Sequence, residues 1–192
     1  MKYELEIEIK NLLTLDEFMQ LCHYFQLNEH HFTPQINFYF ETQEAELKKR
    51  KAVLRIRQKE NQFTLTLKQQ AKHGIHEYHL TLTHREAQQI IAGEKHSKIQ
   101  EILGQIQAEN LHPQYLGQLE TFRAHCSYKD GIIFLDKSNY FQHTDYEVEY
   151  EVKNYETGMK DFIQLLKKTH IEINPVQSKT ERFYHQYLKQ KR

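Results

Sequence analysis

Glu4, Glu6 and Glu8, followed by Lys10, recur at every second position near the N-terminus. In a strand, residues two apart share a face, so three carboxylates line up on one side and Leu5, Ile7 and Ile9 on the other. Such a row repels itself unless water or a cation intervenes. Hard divalent ions, Mg²⁺ and Mn²⁺, prefer carboxylate oxygens. The opposite charge recurs with the same period. Arg55 and Arg57 alternate with Leu54 and Ile56, Thr64, Thr66 and Lys68 with Phe63, Leu65 and Leu67, and Glu77, His79 and Thr81 with Tyr78, Leu80 and Leu82. Thr121, Arg123, His125 and Ser127 alternate with Phe122, Ala124 and Cys126, and Glu147, Glu149, Glu151 and Lys153 with Tyr146, Val148, Tyr150 and Val152. A solvated antiparallel face usually mixes signs within each strand. Here acids gather on the first and penultimate strands and bases on those between. That sorting suits a highly charged anion, with metal on one side and guanidinium or ammonium groups on the other.

Composition narrows the function classes. The 192 residues are read as a single domain over 1–192, with 39% hydrophobic residues to build its core. Equal numbers of basic and acidic residues, 26 of each, give no global field toward extended nucleic acid or a membrane. Cys22 and Cys126 show no CxxC spacing, which fits a reducing cytoplasm rather than a disulfide scaffold. No run approaches the roughly 20 apolar residues of a membrane span. The 13 histidines include no HExxH-type ligand spacing.

The elements that must position these residues follow from periodicity and punctuation. A first strand is expected over Lys2–Lys10, then a helix opened by the capping pair Thr14 and Glu17. An extended stretch at Gln35–Glu41 and a charged connection at Glu44–Lys51 precede a hairpin of Val53–Gln58 and Gln62–Gln69. A loop at Gln70–Gly74 leads to a strand at His76–Leu82. Thr83 and Glu86 cap the next helix, Gly93 ends it, and another helix covers Ser97–Ile106. The long strand Leu116–Lys129 turns at Asp130-Gly131 into Gly131–Lys137, and Asp145–Lys153 follows. Helices at Met159–Lys168 and after the Ser178/Glu181 capping pair close the chain, the last carrying Phe183, Tyr184 and Tyr187 as packing residues. Ionic faces turned inward require cover for the apolar outside, and the helices can supply it. The expectation is an α+β fold: a closed or nearly closed antiparallel β-barrel with a polar interior and helices packed outside.

With these elements in place, Glu6-Ile7-Glu8-Ile9-Lys10 resembles the ExExK signature of the CYTH superfamily, the triphosphate tunnel metalloenzymes. Arg55-Ile56-Arg57 is similar to the family's RxR strand and Leu65-Thr66-Leu67-Lys68 to its lysine strand. Arg123, Leu135-Asp136, the acidic strand Glu147–Glu151 and the segment Ser178–Arg182 follow in the family's order. The resemblance spans essentially the whole chain and is greatest to the small bacillar members. It implies an eight-stranded antiparallel β-barrel, a tunnel with a charged lumen, and a metal-dependent triphosphatase acting on inorganic triphosphate or a small organic triphosphate. It also implies site residues. Glu6, Glu8 and Lys10 are the catalytic candidates, and Lys10, Arg55, Arg57, Lys68, Arg123, Lys179 and Arg182 bind substrate. Glu6, Glu8, Asp136, Glu147, Glu149 and Glu151 hold Mg²⁺ or Mn²⁺, with the matching pair among the last three acids left open. Glu4 and Glu77 accompany the set, Glu77 as an orienting partner for an arginine. The alternatives are a class IV-type adenylate cyclase, which must also hold adenine and activate a ribose hydroxyl, and a polyphosphate- or nucleotide-binding module without turnover.

Overall fold

The computed structural model describes residues 1–72, 74–175 and 177–191. Among them are nine strands, β1 (Lys2–Glu6), β2 (Glu8–Leu13), β3 (Thr33–Glu41), β4 (Ala52–Lys59), β5 (Gln62–Gln70), β6 (Ile75–Leu82), β7 (Gln114–Tyr128), β8 (Gly131–Tyr140) and β9 (His143–Glu151). Six α-helices accompany them: α1 (Leu15–Tyr24), α2 (Glu46–Lys49), α3 (His84–Ile91), α4 (Ser97–Leu103), α5 (Tyr155–Lys168) and α6 (Lys179–Gln190). The chain forms two compact units. Unit 1 comprises Met1–Leu5 and Gln35–Leu119; unit 2 comprises Glu6–Pro34 and the chain from Glu120 onward.

Unit 1 carries strands in the order β1-β6-β5-β4-β3. The antiparallel register places Arg55 beside Thr66, Thr66 beside His79, Arg57 beside Thr64 and Lys68 beside Glu77. Cross-strand partners share a face, so the charged residues of these three strands come to one side. Leu54, Ile56, Leu65, Leu67 and Leu82 occupy the other side and pack against Ala87 and Ile90 of α3 and Ile99, Ile102 and Leu103 of α4. Leu54, Ile56, Leu65 and Leu67 are fully buried. Each contributes roughly 1.5–3 kcal/mol from removal of its side chain from water. The α3 helix begins where its capping pair places it, with Thr83 accepting from Glu86 N and the Glu86 side chain accepting from Thr83 N. The loop expected at Gln70–Gly74 turns back through a bond from Ala71 N to Gly74 O (3.1 Å); its residue 73 lies outside the described residues.

Unit 2 carries β7-β8-β9-β2, all antiparallel. Arg123 faces Asp136, Asp136 faces Glu147, and Glu149 faces Lys10. The apolar side, Ile9, Ile133, Leu135, Val148 and Tyr150, packs on Phe18 and Leu21 of α1 and Phe162, Leu165 and Leu166 of α5. In both units, helices cover the apolar face, as the α+β reading requires.

Most boundaries shift by a few residues from the sequence expectation, and two differences have a clear physical cause. The single strand over Lys2–Lys10 is interrupted at Ile7, because β1 lies beside β6 whereas β2 pairs with β9. Ile7 marks the handover, its carbonyl accepting from Val152 N at 2.9 Å. The strand expected to stop at Lys137 continues to Tyr140 and returns through Phe141-Gln142, both with positive φ (47° and 61°). Neither residue is the usual Asn-Gly choice for such a turn. Packing offsets the conformational cost: the Phe141 ring lies 4.8 Å from Phe183, which is fully buried.

Candidate active site

The charged face of unit 2 is a buried network. Asp136, on β8, has no exposed surface. Arg123 grips it with two parallel bonds, Nε to Oδ1 at 2.7 Å and Nη2 to Oδ2 at 2.6 Å, and Lys179 also contacts its Oδ2. Arg123 reaches Glu149 as well, and its guanidinium carbon sits 4.6 Å from the centre of the Phe134 ring. Lys179 Nζ lies 2.9 Å from Glu147 and 3.5 Å from Glu149. Lys10 Nζ is 2.5 Å from Glu8 and 3.9 Å from Glu149. Ligand atoms of Asp136, Glu147 and Glu149 fall within 4.8 Å of one another.

Electrostatics explains how so many charges persist out of water. Burial works against the charged forms of Asp136 and Glu149, but Arg123 and Lys179 outweigh it and hold both carboxyls below their ordinary values. Glu147 goes the other way: burial raises it, Glu149 adds to the rise, and Lys179 and Arg182 only partly oppose. Burial also disfavours charge on Lys10, Arg123 and Lys179, yet the surrounding carboxylates hold all three above their usual values. The set is a mutually neutralising cluster in which each cation is shared between acids.

The α6 helix delivers Lys179 and Arg182 from one turn. Ser178 accepts from Glu181 N and the Glu181 carboxylate accepts from Ser178 N, so the capping pair sets where the helix starts. Lys179 is unfavourably placed for the helix dipole; its three carboxylate neighbours outweigh that. Arg182 donates from Nε to Asp145 Oδ2 (2.9 Å), from Nη2 to Asp145 Oδ1 (3.3 Å) and from Nη1 to Gln177 O (2.7 Å), and it also contacts Glu147. Tyr140 donates its hydroxyl to Asp145 Oδ2 at 2.6 Å.

Unit 1 presents a second charged face. Arg55 is only 9% exposed, and its Nε donates to no group among the described residues. Arg57 Nε donates to Asn37 Oδ1 at 3.1 Å, and Lys68 is ion-paired with Glu77. Glu4 bonds Lys2 at 2.7 Å and His79 Nε2 at 3.1 Å. A cavity of about 560 Å³ opens on this face, lined by Lys2, Glu4, Arg57, Thr64, Thr66 and His79 among others.

Within unit 2 the structure thus gathers Glu8, Lys10, Arg123, Asp136, Glu147, Glu149, Lys179 and Arg182, and within unit 1 Glu4, Arg55, Arg57, Lys68 and Glu77. It does not place Glu6 or Glu151 in the close carboxylate trio, and Glu151 is exposed at the end of β9 opposite Glu8. Glu4 lies in unit 1 and Glu8 in unit 2. Sequence reasoning missed Asp145, Tyr140 and Asn37, buried polar partners of the arginines or of one another. Only their parity with the charged positions, Asp145 with Glu147 and Asn37 with Glu41, could have pointed to them.

Comparison with known proteins agrees with this geometry. The CYTH domain family matches residues 4–184. YjbK of Bacillus subtilis strain 168, a proposed triphosphatase, is 36% identical over 193 residues, covering 98% of this chain and 99% of its own. The crystal structure of a proposed adenylate cyclase from Bacillus halodurans is 35% identical, covers 96% of this chain and 100% of its own, and has a TM-score of 0.88. A Hippeastrum protein, a proposed adenylyl cyclase with a dominant triphosphatase activity, shares the fold at a TM-score of 0.76 and 23% identity, covering 94% of this chain and 96% of its own. With matches that run nearly from end to end in both sequence and fold, the chain belongs to the CYTH family.

Proposed function

We propose that this protein is a metal-dependent hydrolase of triphosphates, with inorganic triphosphate as the favoured substrate. The observation that carries the reading is the pairing, within unit 2, of an all-carboxylate trio with cations suited to phosphate. The 36% identity to a proposed triphosphatase supports it. An oxygen-only donor set fits Mg²⁺ or Mn²⁺ rather than a softer ion. Asp136, Glu147 and Glu149 would hold the ion, with Glu8 alongside through Lys10. When bound, the metal supplies Lewis-acid stabilisation of phosphoryl oxygens.

Phosphoryl transfer asks the protein mainly for positioning and charge stabilisation. Lys10, Arg123 and Lys179 sit on the carboxylates now; a metal on those carboxylates would free the cations to bind phosphate oxygens. Arg55, with its unpartnered buried nitrogen, and Arg57 supply planar donors in unit 1. Arg182 differs from them, because its bonds to Asp145, Glu147 and Gln177 O engage it as an anchor for α6.

The deciding experiment is phosphate release from tripolyphosphate, thiamine triphosphate and ATP, with Mg²⁺ or Mn²⁺. Wild type would be compared with Glu6→Gln/Glu8→Gln and with Glu149→Gln. Metal-dependent release, fastest with tripolyphosphate and lost in Glu149→Gln, is expected. Cyclic AMP formed from ATP would replace the hydrolase reading with cyclisation, and binding without turnover would leave a binding module.

A further inference from the structure

His79 lies on the cavity of unit 1 with both ring nitrogens engaged. Nε2 is 3.1 Å from Glu4 Oε1 and 3.4 Å from Glu77 Oε2; Nδ1 is 3.0 Å from Thr66 Oγ1. Carboxylates only accept, so Nε2 carries the hydrogen in the neutral ring and Nδ1 accepts from the Thr66 hydroxyl. The contact is built into the sheet, because Thr66 and His79 are register partners on β5 and β6. Both line the 560 Å³ cavity beside Arg57 and Thr64. Arg55, buried with an unsatisfied Nε, is close enough to act on His79 electrostatically.

We propose that Thr66 and His79 form a proton-dependent relay that recognises a bound phosphate: a proton taken up at His79 Nδ1 turns the Thr66 hydroxyl from the ring to the ligand. The atoms balance. Neutral His79 uses Nδ1 as an acceptor, and Thr66 donates to it. Once Nδ1 is protonated by solvent it becomes a donor, Thr66 Oγ1 accepts, and the hydroxyl hydrogen must point elsewhere. The cavity, with its arginine, is where a phosphate oxygen would receive it. No covalent bond forms or breaks beyond the one N–H.

The charges around the ring make this response depend on the ligand. Burial holds His79 below its ordinary value; the bond to Glu4 opposes that, while Arg55 on β4 and Lys2 on β1 push the same way as burial. Glu77 on β6 is engaged by Lys68 on β5, which moderates its pull. A polyphosphate arriving near Arg55 and Lys2 offsets their repulsion and favours the imidazolium. His79 is therefore neutral in the empty site and charged in the loaded one. This rests on the reading that the charged face of unit 1 binds a triphosphate, and adds a proton to that binding event.

The test is calorimetric titration with inorganic tripolyphosphate, without metal, at pH 7 in two buffers of different ionisation enthalpy. Wild type should take up more protons than His79→Gln, by up to one per site, which subtracts the titration of tripolyphosphate itself. Thr66→Val should weaken binding about fivefold to tenfold, the worth of one hydrogen bond, and Thr66→Ser should restore it. Equal uptake by wild type and His79→Gln would overturn the relay alone. No binding by wild type would overturn both the relay and the phosphate-binding reading beneath it. Should His79→Gln fail to fold, the ¹⁵N resonances of the wild-type His79 ring decide: they must report protonation on addition of tripolyphosphate, and an unchanged neutral ring would refute the relay.

Discussion

Removing one carboxylate from a buried cluster strands the cations that it neutralised, and in unit 2 that carboxylate is Asp136. It is fully buried and holds both Arg123 and Lys179. Breaking a buried ion pair from one side typically costs 3–5 kcal/mol. Because both cations keep Glu149 as a second partner, Asp136→Asn should fall at the low end, about 3 kcal/mol, in denaturant unfolding; a loss below about 0.5 kcal/mol would show that the cluster stabilises nothing. At this scale, the alternation of residue types was enough to place Arg55, Arg57, Lys68, Arg123 and Glu149 on charged faces. For Asp145 it offered only parity with Glu147, and it could not show what Asp145 and Tyr140 hold. Their partner, Arg182, comes from a helix far along the chain, and no local period links a helix to the strand it docks against.

Capping pairs made three helix starts readable, because the bonds that satisfy the first free amides come from residues three apart. Helix α3 offers the cleanest check. Loss of the Thr83 cap in Thr83→Ala should cost about 1 kcal/mol, measured by thermal unfolding. Its capping partner Glu86 is pulled from 4.5 to about 2, first by Lys98 and then by the Thr83 amide. A carboxyl depressed in the folded state stabilises fully above its unfolded value and loses that contribution as pH falls through the folded one. The stability gap between wild type and Glu86→Gln should therefore be constant above about pH 5 and shrink progressively towards pH 2; a gap that grows on acidification would refute the assignment. Helix α5 makes a second, less intuitive case. Alanine is a better helix former than glycine by about 1 kcal/mol, yet a Cβ at Gly158 would meet Val152 Cγ2 and Cγ1 at 2.7 and 2.8 Å. Overpacking of this kind costs roughly 1–3 kcal/mol, so Gly158→Ala should lower the melting temperature rather than raise it. The elements that sequence misjudged are those where tertiary pairing decided. Ile7 has ordinary strand chemistry, and only the different partners of β1 and β2 break the strand there. Phe141-Gln142 carries no turn signal, and the turn exists because Phe141 packs on Phe183.

Each unit is assembled from segments distant along the chain. Glu8 pairs with Glu151, and Leu13 with Tyr146, while Met1–Leu5 joins a unit whose remaining residues begin only at Gln35. Folding slows as contacts become less local, so refolding from denaturant should take milliseconds to seconds rather than microseconds, as stopped-flow fluorescence of the tyrosines would read; a microsecond refolding phase with full amplitude would refute this. The general plan, an antiparallel α+β fold with charged faces and helix-covered apolar ones, was legible because it is written in two-residue periods. The division of the N-terminal strand between two units was not, because nothing local distinguishes its halves. The handover at Ile7 also bears on synthesis. β2 is synthesised long before β9, the strand it pairs with. A nascent chain halted before Tyr146 would expose the edge of β2, where Glu8 and Lys10 stand paired with each other. Those two charges disfavour pairing of such an unfinished edge with its neighbours on a polysome.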